Sequence, residues 1–176
     1  MHKDVKPLNL VFDGAGYLRL TDFGISKEIK SEEQIGGLTG DQHGTLRYMA
    51  PEVLKCRKYD KSADFWSVGV TALQIAGYQT APFPGSNKLE VQEQMKIIKS
   101  FRVKQEDLPT GWSKQAVLFI NKCLRMNPKQ RLGYAKGTEE LKQHAWFKDF
   151  DWKGLESKRM IAPFTPVNVY QPRISH

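Results

Sequence analysis

Asp4, Lys6 and Asn9 crowd the opening stretch MHKDVKPLNLVF, with His2 and Lys3 beside them, and Asp22 follows after two short apolar runs. These residue types suggest one chemistry. A carboxylate such as Asp4 can accept the proton of a hydroxyl nucleophile. The oxygens of Asn9 and Asp22 are hard ligands of the kind Mg²⁺ takes, and a neighbouring lysine suits the polyphosphate that such an ion would hold. The plain alternative is a hairpin with polar turns. Asp22-Phe23-Gly24 alone is a common tripeptide and decides nothing.

The site needs elements that bring these residues together. Leu10-Val11-Phe12 and Tyr17-Leu18-Arg19-Leu20 flank Asp13-Gly14-Ala15-Gly16 and read as two strands around a glycine-rich turn. A hairpin returns its end beside its start, so the loop carrying Asp4 to Asn9 meets the loop carrying Asp22. Residues 26–48 are polar and lack a sustained period, too long a stretch for an ordinary connector. Ser62 is the expected N-cap of a helix ending at Gly77, apolar nearly all round and therefore central and buried. Asn87 is expected to cap a helix to about Lys99, with Val91, Met95 and Ile98 on one face. Ser113 is expected to cap another, with Ala116, Val117, Ile120 and Leu124 inward, and Thr138 to start a short one. From Ile161 the chain should be extended, because Pro163, Pro166 and Pro172 oppose helix. The pattern is mainly α with one small β-hairpin, and no internal repeat is visible.

The chain has 176 residues, 40% hydrophobic and 26% charged, enough for a domain with a real core. No apolar run reaches the roughly 20 residues of a membrane span, and no signal-peptide stretch opens the chain. Cys56 and Cys123 have no metal-ligand spacing, which fits a reducing, cytoplasmic setting. The net charge of +8 comes from scattered Lys and Arg residues without a dense basic run. Nucleic acid is therefore not expected as a partner.

Taken in order, the motifs are specific. His2-Lys3-Asp4, Lys6 and Asn9, then Asp22-Phe23-Gly24, resemble the catalytic and metal-binding loops of eukaryotic protein kinases. Gly44-Thr45 and Met49-Ala50-Pro51-Glu52 resemble the end of that family's activation segment. Asp64, Trp66-Ser67 and Gly69 resemble its central C-lobe helix, and Arg131 follows Asn127-Pro128 as the family's late arginine does. Lys6 favours the serine/threonine type. Arg131-Leu132-Gly133, His144-Ala145-Trp146-Phe147, Phe150-Asp151-Trp152 and Ala162-Pro163-Phe164-Thr165-Pro166 are similar to cyclic-nucleotide-dependent kinases and their AGC relatives.

The resemblance implies a partial kinase fold. Residues 1–148 would run from the catalytic loop to the end of the C-terminal lobe, and 149–176 would begin an AGC-like tail. It implies ATP, Mg²⁺ and protein substrates, with a regulatory subunit or domain as a possible partner. Asp4 would be the catalytic base, Lys6 the γ-phosphate contact, and Asn9 and Asp22 the Mg²⁺ ligands. Thr45 would bridge to Asp4 and Lys6. Glu52 and Arg131 would form a buried ion pair, Asp64 would receive backbone N–H groups of the catalytic loop, and His2, Phe23 and Gly24 would be structural.

Some positions depart from the family pattern. The glycine-rich phosphate loop, strand lysine and helix glutamate of a complete kinase do not occur in this sequence. The expectation is that the chain starts in mid-domain, with Met1 an internal residue read as a start. A non-catalytic, kinase-derived binding module or a truncated product is the rival reading. The family's activation-segment phosphothreonine falls at Asp41, and the arginine that receives it is Lys3. An Asp41–Lys3 pair is the expected permanent substitute, with Thr39 a rival phosphosite and two solvated side chains the alternative. Three family carboxylates that receive a substrate arginine fall at Leu8, Arg47 and Gln74. The implied kinase is therefore not arginine-directed.

Overall fold

The structure, a computed structural model, describes residues 1–28, 43–77, 83 and 88–166, with the backbone alone at 88–92. Thr39, Asp41, Asn87, Pro172 and the side chain of Val91 lie outside the described residues. Pro7, with its fixed φ, opens a 3-10 turn over Pro7–Asn9 that feeds strand β1, Leu10–Phe12. Strand β2, Leu18–Leu20, pairs with it antiparallel, with Leu10 opposite Leu20 and Phe12 opposite Leu18. Asp13 shapes the turn, its Oδ1 accepting from Ala15 N at 3.1 Å and Tyr17 N at 2.9 Å. The second strand thus starts one residue later than the sequence suggests, because the Tyr17 amide serves the turn.

Helix α1 spans Pro51–Leu54 and α2 spans Ser62–Ile75. Helices α3 (Lys88–Ser100), α4 (Lys114–Cys123), α5 (Thr138–Lys142) and α6 (Trp152–Glu156) follow. The expected burial of α2 holds: Trp66, Val70 and Leu73 are closed off from solvent. It packs on α4, and Gly69 makes that approach possible. A Cβ there would stand 2.6 Å from Cys123 Cβ. Gly77, at φ 90°, ends the helix as the sequence predicts.

The start of α2 corrects the sequence reading. Ser62 is the first helical residue, not the cap. The Asp60 carboxylate, two residues earlier, accepts its N–H at 2.8 Å, and the charged oxygen wins over the serine hydroxyl. Ser62 Oγ is left buried without a partner among the described residues. Ser113 does cap α4, accepting from Ala116 N at 3.2 Å, and Ala116, Ile120 and Leu124 are buried as expected. On α3, Ile98 is buried and Met95 packs against the core, while Gln94 is also fully buried on that face. Aromatic rings of Phe119, Trp146, Phe147 and Trp152 join α4 to α6 at centroid distances of 5.0 to 5.4 Å. Residues 161–166 form no helix and cross back over the hairpin. There Tyr17 Oη donates to Met160 O at 2.6 Å, and the Phe164 ring meets Phe12 edge-on.

Candidate active site

Asp64, in the first turn of α2, organises the chain start. Its Oδ2 accepts from His2 N at 2.7 Å and its Oδ1 from Lys3 N at 2.8 Å. Lys3 takes a left-handed φ of 72° under this constraint. The buried His2 ring accepts from Asp4 N through Nδ1 at 3.2 Å, so Nε2 carries the hydrogen and donates to Thr21 O at 2.9 Å. Thr21 in turn donates from N and Oγ1 to Asn9 O, at 2.9 and 3.1 Å. The mouth of the hairpin therefore carries both loops, as the sequence predicts.

At the centre is the Asp4 carboxylate, buried among donors. Lys6 Nζ meets Oδ2 at 2.6 Å, Asn9 Nδ2 donates to the same oxygen at 3.2 Å, and Thr45 N donates to Oδ1 at 2.9 Å. Lys6 also donates to Thr45 Oγ1 at 2.7 Å, closing a triangle of Asp4, Lys6 and Thr45. Burial pushes the Asp4 pKa up, but the hydrogen bonds from Lys6 and Thr45 and the Lys6 charge together outweigh it. The carboxyl is held below its ordinary value of 3.8. Gly44 lets Thr45 come this close. Its φ is 108°, and a side chain there would run into the Lys3 carbonyl.

The two expected metal ligands are placed differently. The Asn9 amide nitrogen is committed to Asp4 O at 2.8 Å and to Oδ2, which leaves its carbonyl oxygen for a cation. Asp22 is exposed at φ 63°, and among the described residues its Oδ1 accepts one long 3.4 Å bond, from Gly24 N. No group of three or more His, Cys, Asp or Glu among the described residues could enclose a metal. One amide and one carboxylate nevertheless fit Mg²⁺, which usually takes one or two carboxylates and fills its shell with phosphate oxygens and water. Phe23 is less covered than a packing residue would be. It is 61% exposed and meets the His2 ring edge-on at 5.0 Å.

Glu52 and Arg131 meet as expected, in a bidentate pair at 2.6 and 3.0 Å. The same guanidinium donates to Ser62 O at 3.0 Å and Arg125 O at 3.1 Å and lies over the Trp66 ring. Of the three expected specificity positions, Leu8 is 86% exposed and Arg47 is exposed, while the Gln74 carbonyl oxygen accepts the Tyr48 hydroxyl. Lys3 is half-buried, and its expected partner Asp41 falls outside the described residues.

Two contacts escaped the sequence reading, one made by Ser67, which the family motif singles out, and one by Gln94, which it does not. Ser67 Oγ donates to Tyr48 O at 2.8 Å, and Gln94 Nε2 donates to Leu46 O at 3.1 Å; together they fix the turn Leu46–Tyr48 after Thr45. The signal for Gln94 was a polar residue beside Met95 on an apolar helix face.

This geometry can be set beside known proteins. The family model described as protein kinase domain matches residues 1–147. Serine/threonine-protein kinase AtPK1/AtPK6 of Arabidopsis thaliana is 38% identical over 167 residues, which cover 94% of this chain and 33% of that protein. Ribosomal protein S6 kinase alpha-6 of Mus musculus is 35% identical over 168 residues, 96% of this chain and 20% of that protein. A cGMP-dependent protein kinase of Drosophila melanogaster, isozyme 2 forms cD5/T2, is 36% identical over 167 residues, 94% of this chain and 17% of that protein. The chain thus spans a third or less of the length of these relatives.

Proposed function

The chain belongs to the protein kinase family, and from that membership we propose that it carries the phosphoryl-transfer site of an AGC-like serine/threonine kinase. The observation that carries the reading is the Asp4–Lys6–Thr45 triangle. In this reading Asp4 accepts a hydrogen bond from the serine or threonine hydroxyl of a protein substrate and takes its proton as the oxygen attacks the γ-phosphorus of ATP. The bond from that phosphorus to the bridging oxygen breaks, and ADP leaves. Asp4, held ionised by Lys6 and Thr45, is a weak base but a constant, well-aimed acceptor. That suits a loose transition state, in which positioning and charge do most of the work. Lys6 would neutralise charge on the transferred group. Asn9 and Asp22 would hold Mg²⁺, whose contribution is to neutralise the polyphosphate.

Residues 1–148 are read as the kinase-domain portion and 149–176 as the start of a tail, which the contact of Met160 and Phe164 with the hairpin supports. The free cysteines support a cytoplasmic setting. Substrates would not be arginine-directed: Leu8, Arg47 and Gln74 offer no carboxylate, and the Gln74 oxygen is taken by Tyr48. A positional peptide library should show no selection for arginine two or three residues before the acceptor. Arg47→Glu should then increase the use of basic peptides.

The decisive experiment joins this chain to a kinase segment that carries the family's glycine-rich loop and strand lysine. The chimera should phosphorylate serine peptides with ATP and Mg²⁺, and Asp4→Asn should remove the activity. A folded chimera that binds ATP but transfers nothing would favour the binding-module reading.

A further inference from the structure

The segment after α4 is held by its own backbone and by the side chains of Asn127 and Arg131. Leu132 N donates to Lys122 O at 3.1 Å, and Arg131 Nε to Arg125 O at 3.1 Å. Asn127 Oδ1 accepts from Lys129 N at 3.1 Å and starts the 3-10 turn Pro128–Gln130. Beside this loop opens a cavity of about 410 Å³ that Lys122, Arg125 and Lys129 line, together with Arg131 and Tyr134.

Its charge balance is one-sided. Arg131 is neutralised by Glu52. The one acid of the lining, Glu140, keeps its charge while its Oε2 accepts from Ala135 N at 3.2 Å and Lys136 N at 3.3 Å, so the three cations Lys122, Arg125 and Lys129 face a single carboxylate. Among the described residues no carboxylate pairs with the side chains of Lys122, Arg125 or Lys129. Burial, and then the Lys122 charge, lower the pKa of His144. None of these residues belongs to the Asp4–Lys6–Thr45 cluster.

We propose that this cavity is a docking site for a phosphorylated peptide segment, with Lys122, Arg125 and Lys129 receiving the phosphate and its acidic flanks. Lys122, Arg125 and Lys129 are exposed and unpaired among the described residues around one concavity, so a phosphate can gather charge-assisted hydrogen bonds from them, at the cost of ordering three long side chains. Nucleic acid fits less well. Tyr134 is the one aromatic of the lining, so successive bases would find no stacking platform.

The test is amide chemical-shift titration, at constant ionic strength, of the 176-residue chain carrying Leu18→Thr/Leu20→Thr, which removes exposed apolar surface from the hairpin and keeps the sample from associating. The probes are an acidic phosphoserine pentapeptide, its unphosphorylated twin, pyrophosphate and a mixed-sequence RNA 12-mer. The phosphopeptide should shift the amides of Lys122, Arg125 and residues 129–135. Its twin should bind roughly tenfold more weakly, and Arg125→Ser/Lys129→Ser should weaken the phosphopeptide by about tenfold or more. Lys122→Glu gives an independent second reading should the double variant fold poorly. Shifts confined to residues 4–9 and 44–45, or affinity unchanged in both variants, would overturn the site. Pyrophosphate or RNA binding as tightly as the phosphopeptide would overturn the occupant.

Discussion

At the scale of the residue, the buried charges set the sharpest expectations. Arg131 has no exposed side-chain surface, and Glu52 is its only acidic partner among the described residues. Replacing either alone by Met strands the other charge and should cost about 3–5 kcal/mol in urea denaturation, whereas the double variant should recover much of the loss. Additive losses would show that the pair is not coupled. Asp4 makes a prediction about acid. Its folded pKa lies below the ordinary 3.8, so its ionised form contributes stability above that value, and the contribution disappears as pH falls through the folded pKa. Asp4→Asn should therefore lower the midpoint at pH 6 and flatten the further loss below pH 4. An unchanged acid limb would contradict this. That Asp4, Lys6, Asn9 and Asp64 come together was legible because the family spaces them in one order. Gln94 and Asp60 were not, because only the packed partner shows what a buried amide or an offset carboxylate serves.

At the scale of the element, the contact of α2 with α4 turns on one missing side chain. Gly69 faces Cys123 Cβ at 2.6 Å and Leu124 Cδ2 at 3.1 Å from where its own Cβ would stand. Neither neighbour can yield freely, since both are buried in the core. Gly69→Ala should separate the helices and cost about 1–3 kcal/mol, despite the better helix propensity of Ala. A neutral or stabilising result in thermal melts would show that α4 can shift. The hairpin and both helices were readable from turn residues and apolar spacing. The crossing of 160–164 over the hairpin was not, because a contact between Tyr17 and Met160 leaves no local pattern in the chain.

At the scale of the molecule, the hairpin presents an apolar face. Phe12 lies directly opposite Leu18 and Leu10 opposite Leu20, so all four share one side of the sheet. Phe12, Leu18 and Leu20 are exposed there, and Leu8 and Phe23 are exposed nearby in the chain. A patch of this kind drives association unless something covers it. The chain alone should bind the dye ANS and self-associate, and Leu18→Thr/Leu20→Thr should reduce both without lowering the melting temperature by more than a few degrees. Equal dye binding in the double variant would place the sticky surface elsewhere.

The two bonds from His2 and Lys3 to Asp64 join residues 62 and 61 positions apart. Neither amide has this acceptor until α2 is docked, so this corner of the site closes only after a long loop has closed. Solvent deuterium should report that order. Loop amides that bond only to water exchange at once. The His2 and Lys3 amides should remain protected until the central helix itself opens, exchanging at the slow rate of the core.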